Sequence, residues 1–238
     1  MLEDEQISAI RKAEADYHHA YYTAHHVYEK GTWLERPDSL VTAWIQSQPQ
    51  ESAFEVLDLA CGVGRNLFPV LKQFPKARGT GVDLLNSAVE TAQQYAKDTG
   101  LSPRCRWEVK DQDAFTITPK SWDLIMAFAS LEHTASPRHL HKLLHRMAEG
   151  TSFGGTNVLA MNTEATETIQ KTGETYRALF ETNIDAADAL SLINVAYQNW
   201  HRLKLTIEPV TFPIRRDGCA ITVNAKQIRA LVKRPLLH

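Results

Sequence analysis

The stretch Val56-Leu57-Asp58-Leu59-Ala60-Cys61-Gly62-Val63-Gly64-Arg65-Asn66 constrains this chain most, because it reads as a buried strand entering a glycine turn and then a helix start. Glycines at 62 and 64 let backbone approach a ligand that side chains would exclude. The helix that follows offers free N–H groups and the positive end of its dipole. Asp83 stands 19 residues beyond Gly64, directly after Gly81-Val82. A strand ending there sets a carboxylate beside the turn, where it can accept both hydroxyls of a ribose.

Around this motif, short apolar runs alternate with amphipathic stretches, the mark of a wound sheet. Strands are expected at Glu55 to Ala60, Arg78 to Val82, Cys105 to Val109, Asp123 to Phe128 and Asn157 to Met161. Asn86-Ser87 caps a helix bearing Ala88, Val89, Ala92, Tyr95 and Ala96, and Ser136-Pro137 starts another with Leu140, Leu143, Leu144 and Met147 on one face. After the fifth strand a polar, mostly helical stretch leads to a helix carrying Ala187, Leu190, Ile193, Tyr197 and Trp200. Two strands close the chain, Leu203 to Val210 and a segment reaching Val232, turning at Arg215-Arg216-Asp217-Gly218. No helix-length crossover separates them, so they should pair antiparallel.

The expected fold is thus α/β, a Rossmann-like doubly wound sheet of about seven strands with helices on both faces. It is mostly parallel, with an antiparallel C-terminal strand. Residues 1–50 read as an N-terminal helical lid segment and 51–238 as the core, with a substrate-cap insertion near 163–200, all within a single domain.

Composition narrows the ligand. The 238 residues are 43% hydrophobic and 23% charged, with 26 basic against 28 acidic side chains, so there is no excess positive charge to neutralise a nucleic-acid backbone. The longest apolar run, Leu124 to Ala129, falls far short of the roughly 18 residues of a membrane helix. Cys61, Cys105 and Cys219 form no C-x-x-C pair, which argues against a disulfide framework or zinc site. The expectation is a cytoplasmic protein with a small-molecule partner, no nucleic acid and no membrane.

With these residues in place, the sequence resembles the class I S-adenosylmethionine-dependent methyltransferases, whose first motif stands here as Asp58-Leu59-Ala60-Cys61-Gly62-Val63-Gly64. The resemblance runs from Phe54 to Met161 through Gly81-Val82-Asp83, Gln112-Asp113-Ala114-Phe115, Trp122-Asp123-Leu124-Ile125-Met126 and Gly154-Gly155. It implies S-adenosyl-L-methionine as cofactor, with S-adenosyl-L-homocysteine as product. It also implies that Asp58 holds the methionine part, that Gly62 and Gly64 pass beneath it with Ala60 and Asn66 in the same turn, and that Asp83 binds the ribose. Asp113 would take the adenine amino group and the N–H of Ala114 a ring nitrogen. Leu84 and Phe115 would sandwich the ring, and Phe128 and Ala129 would offer backbone groups near the ammonium.

Within the family the chain is most similar to the TehB-like and thiopurine-like small-molecule branch. Gly31-Thr32-Trp33-Leu34-Glu35-Arg36-Pro37 resembles the P-W-D-x-G-R-P element of those enzymes, with Thr32-Trp33-Leu34 standing for Pro-Trp-Asp. Trp33 would then pack at the cofactor.

Other readings stand beside these. A nicotinamide fingerprint wants a third glycine where Leu67 stands. A non-catalytic S-adenosylmethionine-binding module would keep the same cofactor residues. His18, His19, His25 and His26, interleaved with Tyr17, Tyr21, Tyr22 and Tyr28, fit helix packing or an aromatic lid better than a metal site, and no metal is expected. Arg138, His139, His141, Lys142, His145 and Arg146 read as a solvated helix face. His133, in the loop after the fourth strand, is the candidate catalytic base. Tyr21, Tyr22, His25, Tyr176, Arg177 and Phe180 are the substrate candidates by composition.

Overall fold

In a computed structural model, which describes residues 3–216 and 218–237, the sheet is built as its hydrophobic alternation requires. The strands are β1 (Glu55–Leu59), β2 (Arg78–Asp83), β3 (Cys105–Val109), β4 (Trp122–Phe128), β5 (Thr151–Ile169), β6 (Thr175–Arg177), β7 (His201–Arg216) and β8 (Cys219–Lys233). They form an eight-stranded sheet in the order β3-β2-β1-β4-β5-β8-β7, with β6 paired to β5 off this path. Neighbours from β3 to β5 are parallel, and β8 runs antiparallel to both β5 and β7.

Side chains alternate across the sheet and fill two separate cores. Leu57, Leu59, Ile125, Ala127, Leu159 and Met161 meet Leu140, Leu143, Leu144 and Met147 of α5 (Pro137–Gly150) and Ala189 and Ile193 of α6 (Ala186–Ala196). Val56, Leu124, Met126 and Val158 face the other way. They meet α2 (Ser39–Ser47), α3 (Leu67–Gln73) and α4 (Asn86–Asp98) through Trp44, Leu67, Phe68, Leu71 and Ala92. Each fully buried aliphatic or aromatic side chain contributes about 1.5–3 kcal/mol, so both faces must be covered, which is what doubly winding the sheet achieves.

Two expectations change. The stretch after Met161 is strand, not helix: β5 runs on to Ile169 across a register shift between Thr163 and Thr166, then turns into β6. Its β-branched Thr163, Thr166, Thr168 and Ile169 suit the pleat, and its burial alternates, so pairing with β8 overrides the polar composition. Second, the closing strands are far longer than their apolar centres and project beyond the parallel part of the sheet. Of the expected turn between them, Asp217 lies outside the described residues. Among the described residues no helix is long and apolar enough to cross a membrane.

The strand order reverses between β1 and β4, whose chains depart to opposite sides. A crevice at the carboxyl ends of the strands follows from that reversal. The long helix α1 (Asp4–Ala24) lies against this end of the sheet.

Candidate active site

A cavity of about 620 Å³ opens at the reversal point, within the range that small-molecule sites occupy. Its wall comes from the strand ends, from α1 with the segment after it, and from the projecting hairpin, which supplies Phe212, Pro213, Ile214 and Val223.

At one end lies the glycine turn. Gly62 has φ +53° and its N–H donates to Asp83 Oδ2 at 2.7 Å, while Leu85 N–H donates to Asp83 Oδ1 at 2.9 Å. The carboxylate therefore ties the ends of β1 and β2 together and keeps lone pairs for a ligand. Burial raises its pKa against the pull of those N–H groups. Ala60 (φ +51°) and Ala129 (φ +49°) are left-handed non-glycine residues at the ends of neighbouring strands, each storing about 1–2 kcal/mol.

Asp58 is fully buried, and its Oδ2 has no partner. Burial pushes its carboxyl up to about 8, with Asp83 adding to the rise and Arg65 opposing it. An unpaired buried oxygen beside a cavity costs about 1–3 kcal/mol, which a ligand bringing a positive charge or a donor would recover.

The adenine side is arranged differently from the expectation. Asp111 and Gln112 line the cavity, whereas Asp113, Ala114 and Phe115 stand outside its wall. Asp113 Oδ2 accepts the Ala135 N–H at 3.0 Å while its Oδ1 is buried without a partner among the described residues, the Ala114 N–H goes to the Asp111 carbonyl, and Phe115 is packed in the core. Gln112 Nε2 donates to the Ser130 carbonyl at 2.6 Å, which leaves its Oε1 buried without a partner. Arg146, read from sequence as solvated, holds this loop by donating to the carbonyls of Phe115 at 2.6 Å and Gln112 at 3.1 Å.

Of the remaining cofactor candidates, Trp33, Asn66, Leu84 and Phe128 line the cavity, as do Ala60 and Ala129. Asn66 also accepts the Asp38 N–H at 2.9 Å. The Ala129 N–H is used by the Ala160 carbonyl. Gly64 is outside the wall: a Cβ there would lie 2.6 Å from the Phe68 ring, so this glycine serves the packing of α3.

The tyrosine and histidine residues of α1 form an aromatic cover. Trp33 stacks on Tyr21 at 5.2 Å and carries the Arg65 guanidinium 5.4 Å from its centroid, and His18 stacks on Tyr22 at 5.4 Å. Tyr21, Tyr22 and Phe180 line the cavity, but three other substrate candidates do not. His25 pairs with Glu29 at 3.0 Å, Tyr176 is exposed and donates to Glu174, and Arg177 reaches the Asn183 carbonyl.

The cavity wall also holds a charged cluster, of which sequence reading found only His133. His133 Nδ1 lies 2.9 Å from Glu181 Oε2, and Arg11 pairs with Glu181 at 3.3 Å and Asp111 at 2.8 Å. Arg216 pairs with Glu14 at 3.2 Å and with Glu167. Glu132 is buried, its Oε1 accepting from Asn162 at 2.6 Å and its Oε2 unpartnered. Burial alone lowers His133, but Glu181, Glu14 and Glu132 outweigh it and raise the imidazole to about 9. Burial takes Glu132 up to about 7, and burial together with the His133 charge takes His18 down to about 4. These partners lie far apart in the chain, up to 202 residues for Glu14 and Arg216, so no local pattern marks them.

Strand order and strand-end cavity together define a doubly wound α/β fold with a ligand crevice at its reversal point. Residues 56–155 match the family model described as methyltransferase domain. Among curated relatives the chain is 27% identical over 109 residues to a ubiquinone biosynthesis O-methyltransferase of Pseudomonas syringae, covering 44% of each chain. It thus spans under half the length of that relative. Among solved structures it superposes on TehB from Haemophilus influenzae with a TM-score of 0.65 at 16% identity, covering 93% of this chain and 67% of that one. The cyclase SpnF superposes equally well, with a TM-score of 0.65 at 14% identity, covering 98% and 97%. Likeness at this identity speaks for the fold.

The residues present fit S-adenosylmethionine. Asp58 offers an unpaired carboxylate oxygen, Gly62 a backbone surface, Asp83 an anchored carboxylate and Gln112 an unpaired amide oxygen.

Proposed function

We propose that this protein methylates a small molecule, using S-adenosylmethionine as donor. One observation carries the reading: a single cavity is lined both by the glycine turn with Asp58 and Asp83 and by His133, Phe180, Ile214 and Val223. Donor and acceptor sites in one enclosure let binding energy align the reacting atoms, which can contribute about 7–11 kcal/mol.

The donor, when bound, supplies a sulfonium methyl group whose departure leaves a neutral thioether. The protein's part is placement. Asp58 and the Gly62 turn hold the amino-acid end, Asp83 the ribose and Gln112 with Leu84 the base. Trp33, Tyr21 and Tyr22 of the aromatic cover exclude water. The apolar strip Phe212, Ile214 and Val223 favours an organic acceptor, and acceptors of the small-molecule branch fit the enclosure better than a polymer.

Leu67 is fully buried and fills the space over Gly79, which argues against a nicotinamide fingerprint at this turn. The test is a calorimetric titration with S-adenosylhomocysteine, with NAD as control. Donor consumption is then followed by mass spectrometry against an acceptor panel. Micromolar binding of S-adenosylhomocysteine with donor turnover is expected. Binding with no turnover for any acceptor would reduce the protein to a cofactor-binding module, and binding of NAD alone would overturn the assignment.

A further inference from the structure

Glu181 belongs to none of the local motifs, yet it lines the same cavity as His133. It lies in the connection between β6 and α6, its side chain has no exposed surface, and its two oxygens face His133 and Arg11. We propose that Glu181, fixed by Arg11, is a positioning residue that presents His133 to the acceptor as a proton acceptor, and that the methyl-accepting atom is a hydroxyl oxygen. This rests on the reading of donor and cavity given above.

The geometry sets the tautomer. A carboxylate can only accept, so the 2.9 Å contact to Glu181 places the proton of a neutral His133 on Nδ1 and its lone pair on Nε2. The ring is held from the side by Phe180, edge-on at 5.1 Å, while a quarter of the side chain stays open to the cavity. Arg11 also grips Asp111 at 2.8 Å, so one side chain of α1 links this part of the cavity wall to the adenine loop.

The chemistry selects the acceptor. An oxygen that begins as a neutral hydroxyl forms its bond to carbon as the carbon–sulfur bond breaks, with that bond's electrons going to sulfur and the hydroxyl proton to Nε2. A thiol ionises near neutrality without help, and a fully ionised oxyanion has no proton to give.

Every element around His133 contributes charge. α1 brings Glu14, His18 and Arg11, the turn before α5 brings Glu132, the β6–α6 connection brings Glu181, and β7 brings Arg216 beside Glu14. Their sum keeps His133 protonated until about pH 9 in the empty site. A sulfonium in the same cavity adds a positive charge and drives that proton off, whereas the neutral thioether of S-adenosylhomocysteine does not.

The test is side-chain nitrogen NMR of His133 in the wild type, Glu181→Gln and Glu181→Asp. In the wild type the neutral ring should be the Nδ1–H tautomer with a midpoint near 9. Glu181→Gln should lower that midpoint by about one pH unit or more, and Glu181→Asp should restore the tautomer. An Nε2–H tautomer in the wild type overturns the proposal and needs no variant to fold. Calorimetry in two buffers adds a second readout: S-adenosylmethionine should release more protons than S-adenosylhomocysteine, and equal release overturns the coupling. With catechol as probe, methylation in the wild type should exceed Glu181→Gln by about 100-fold; equal rates, or methylation of thiophenol alone, overturn the hydroxyl assignment. Failure to bind S-adenosylhomocysteine is distinct and would instead remove the donor reading.

Discussion

The phenol oxygen of Tyr22 lies so close above Gly62 that a Cβ on that glycine would stand 2.7 Å from it. Helix α1 is therefore seated directly on the glycine turn, and the aromatic cover and the turn are one packed unit.

Gly62→Ala should accordingly cost twice. Its φ of +53° strains any side chain by about 1–2 kcal/mol, and the new methyl displaces Tyr22. A loss of about 2–8 °C in Tm with weaker binding of S-adenosylhomocysteine is expected. Adding Tyr22→Ala should recover the steric share and leave the backbone strain. No change in Tm for the single variant would contradict this packing.

Asp83→Ala removes a carboxylate that two backbone N–H groups hold at the neighbouring strand end. Loss of charge-assisted hydrogen bonds of about 1.5–3 kcal/mol should weaken S-adenosylhomocysteine roughly 10- to 150-fold in calorimetry. An unchanged Kd would take Asp83 out of the ribose site.

Gln112 and Asp113 make opposite predictions. If the free Oε1 of Gln112 accepts from the adenine amino group, the wild type should prefer S-adenosylhomocysteine over the analogue carrying hypoxanthine, and Gln112→Leu should erase that preference. Asp113→Asn, whose position serves the Ala135 N–H, should leave the Kd within about threefold. The reverse pattern would return the adenine amino group to Asp113.

Asp58 makes stability depend on pH. Its carboxyl rises from 3.8 to about 8 on burial, so its stabilising effect is complete below about pH 3.8 and is lost as pH climbs through 8. Asp58→Asn removes that dependence. Between pH 7 and 9 the variant should melt no lower than the wild type while binding S-adenosylhomocysteine less tightly. A variant that melts lower at pH 9 would show the carboxylate to be paired.

The part of the cavity wall formed by the glycine turn was legible because its parts are local. Asp58, Ala60, Gly62 and Asn66 lie within nine residues, and the period-two burial of β1 fixes which of them reach the strand end. Spacing cannot tell which of two adjacent polar residues, Gln112 or Asp113, a turn sends toward the cavity wall. Here Ala135 and Arg146 decide it, by claiming Asp113 and the carbonyls around it.

The rest of the cavity wall was mostly illegible. Tyr21, Tyr22 and Phe180 were visible as aromatics, but the extension of β5 looked polar and helical because its partner strand begins some 50 residues later. His25, Tyr176 and Arg177 had the right chemistry and the wrong side of their elements.

Sequence alone determined the alternation of strand and helix, the glycine turn and the carboxylate one strand over, since each depends on residues close enough in the chain to fix one another's backbone. Tertiary structure decided the pairing of His133 with Glu181 and of Arg11 with both Glu181 and Asp111. Those contacts join residues 48 to 170 positions apart, and charges so far separated acquire a partner, a tautomer and a shifted pKa only when folding removes the water between them.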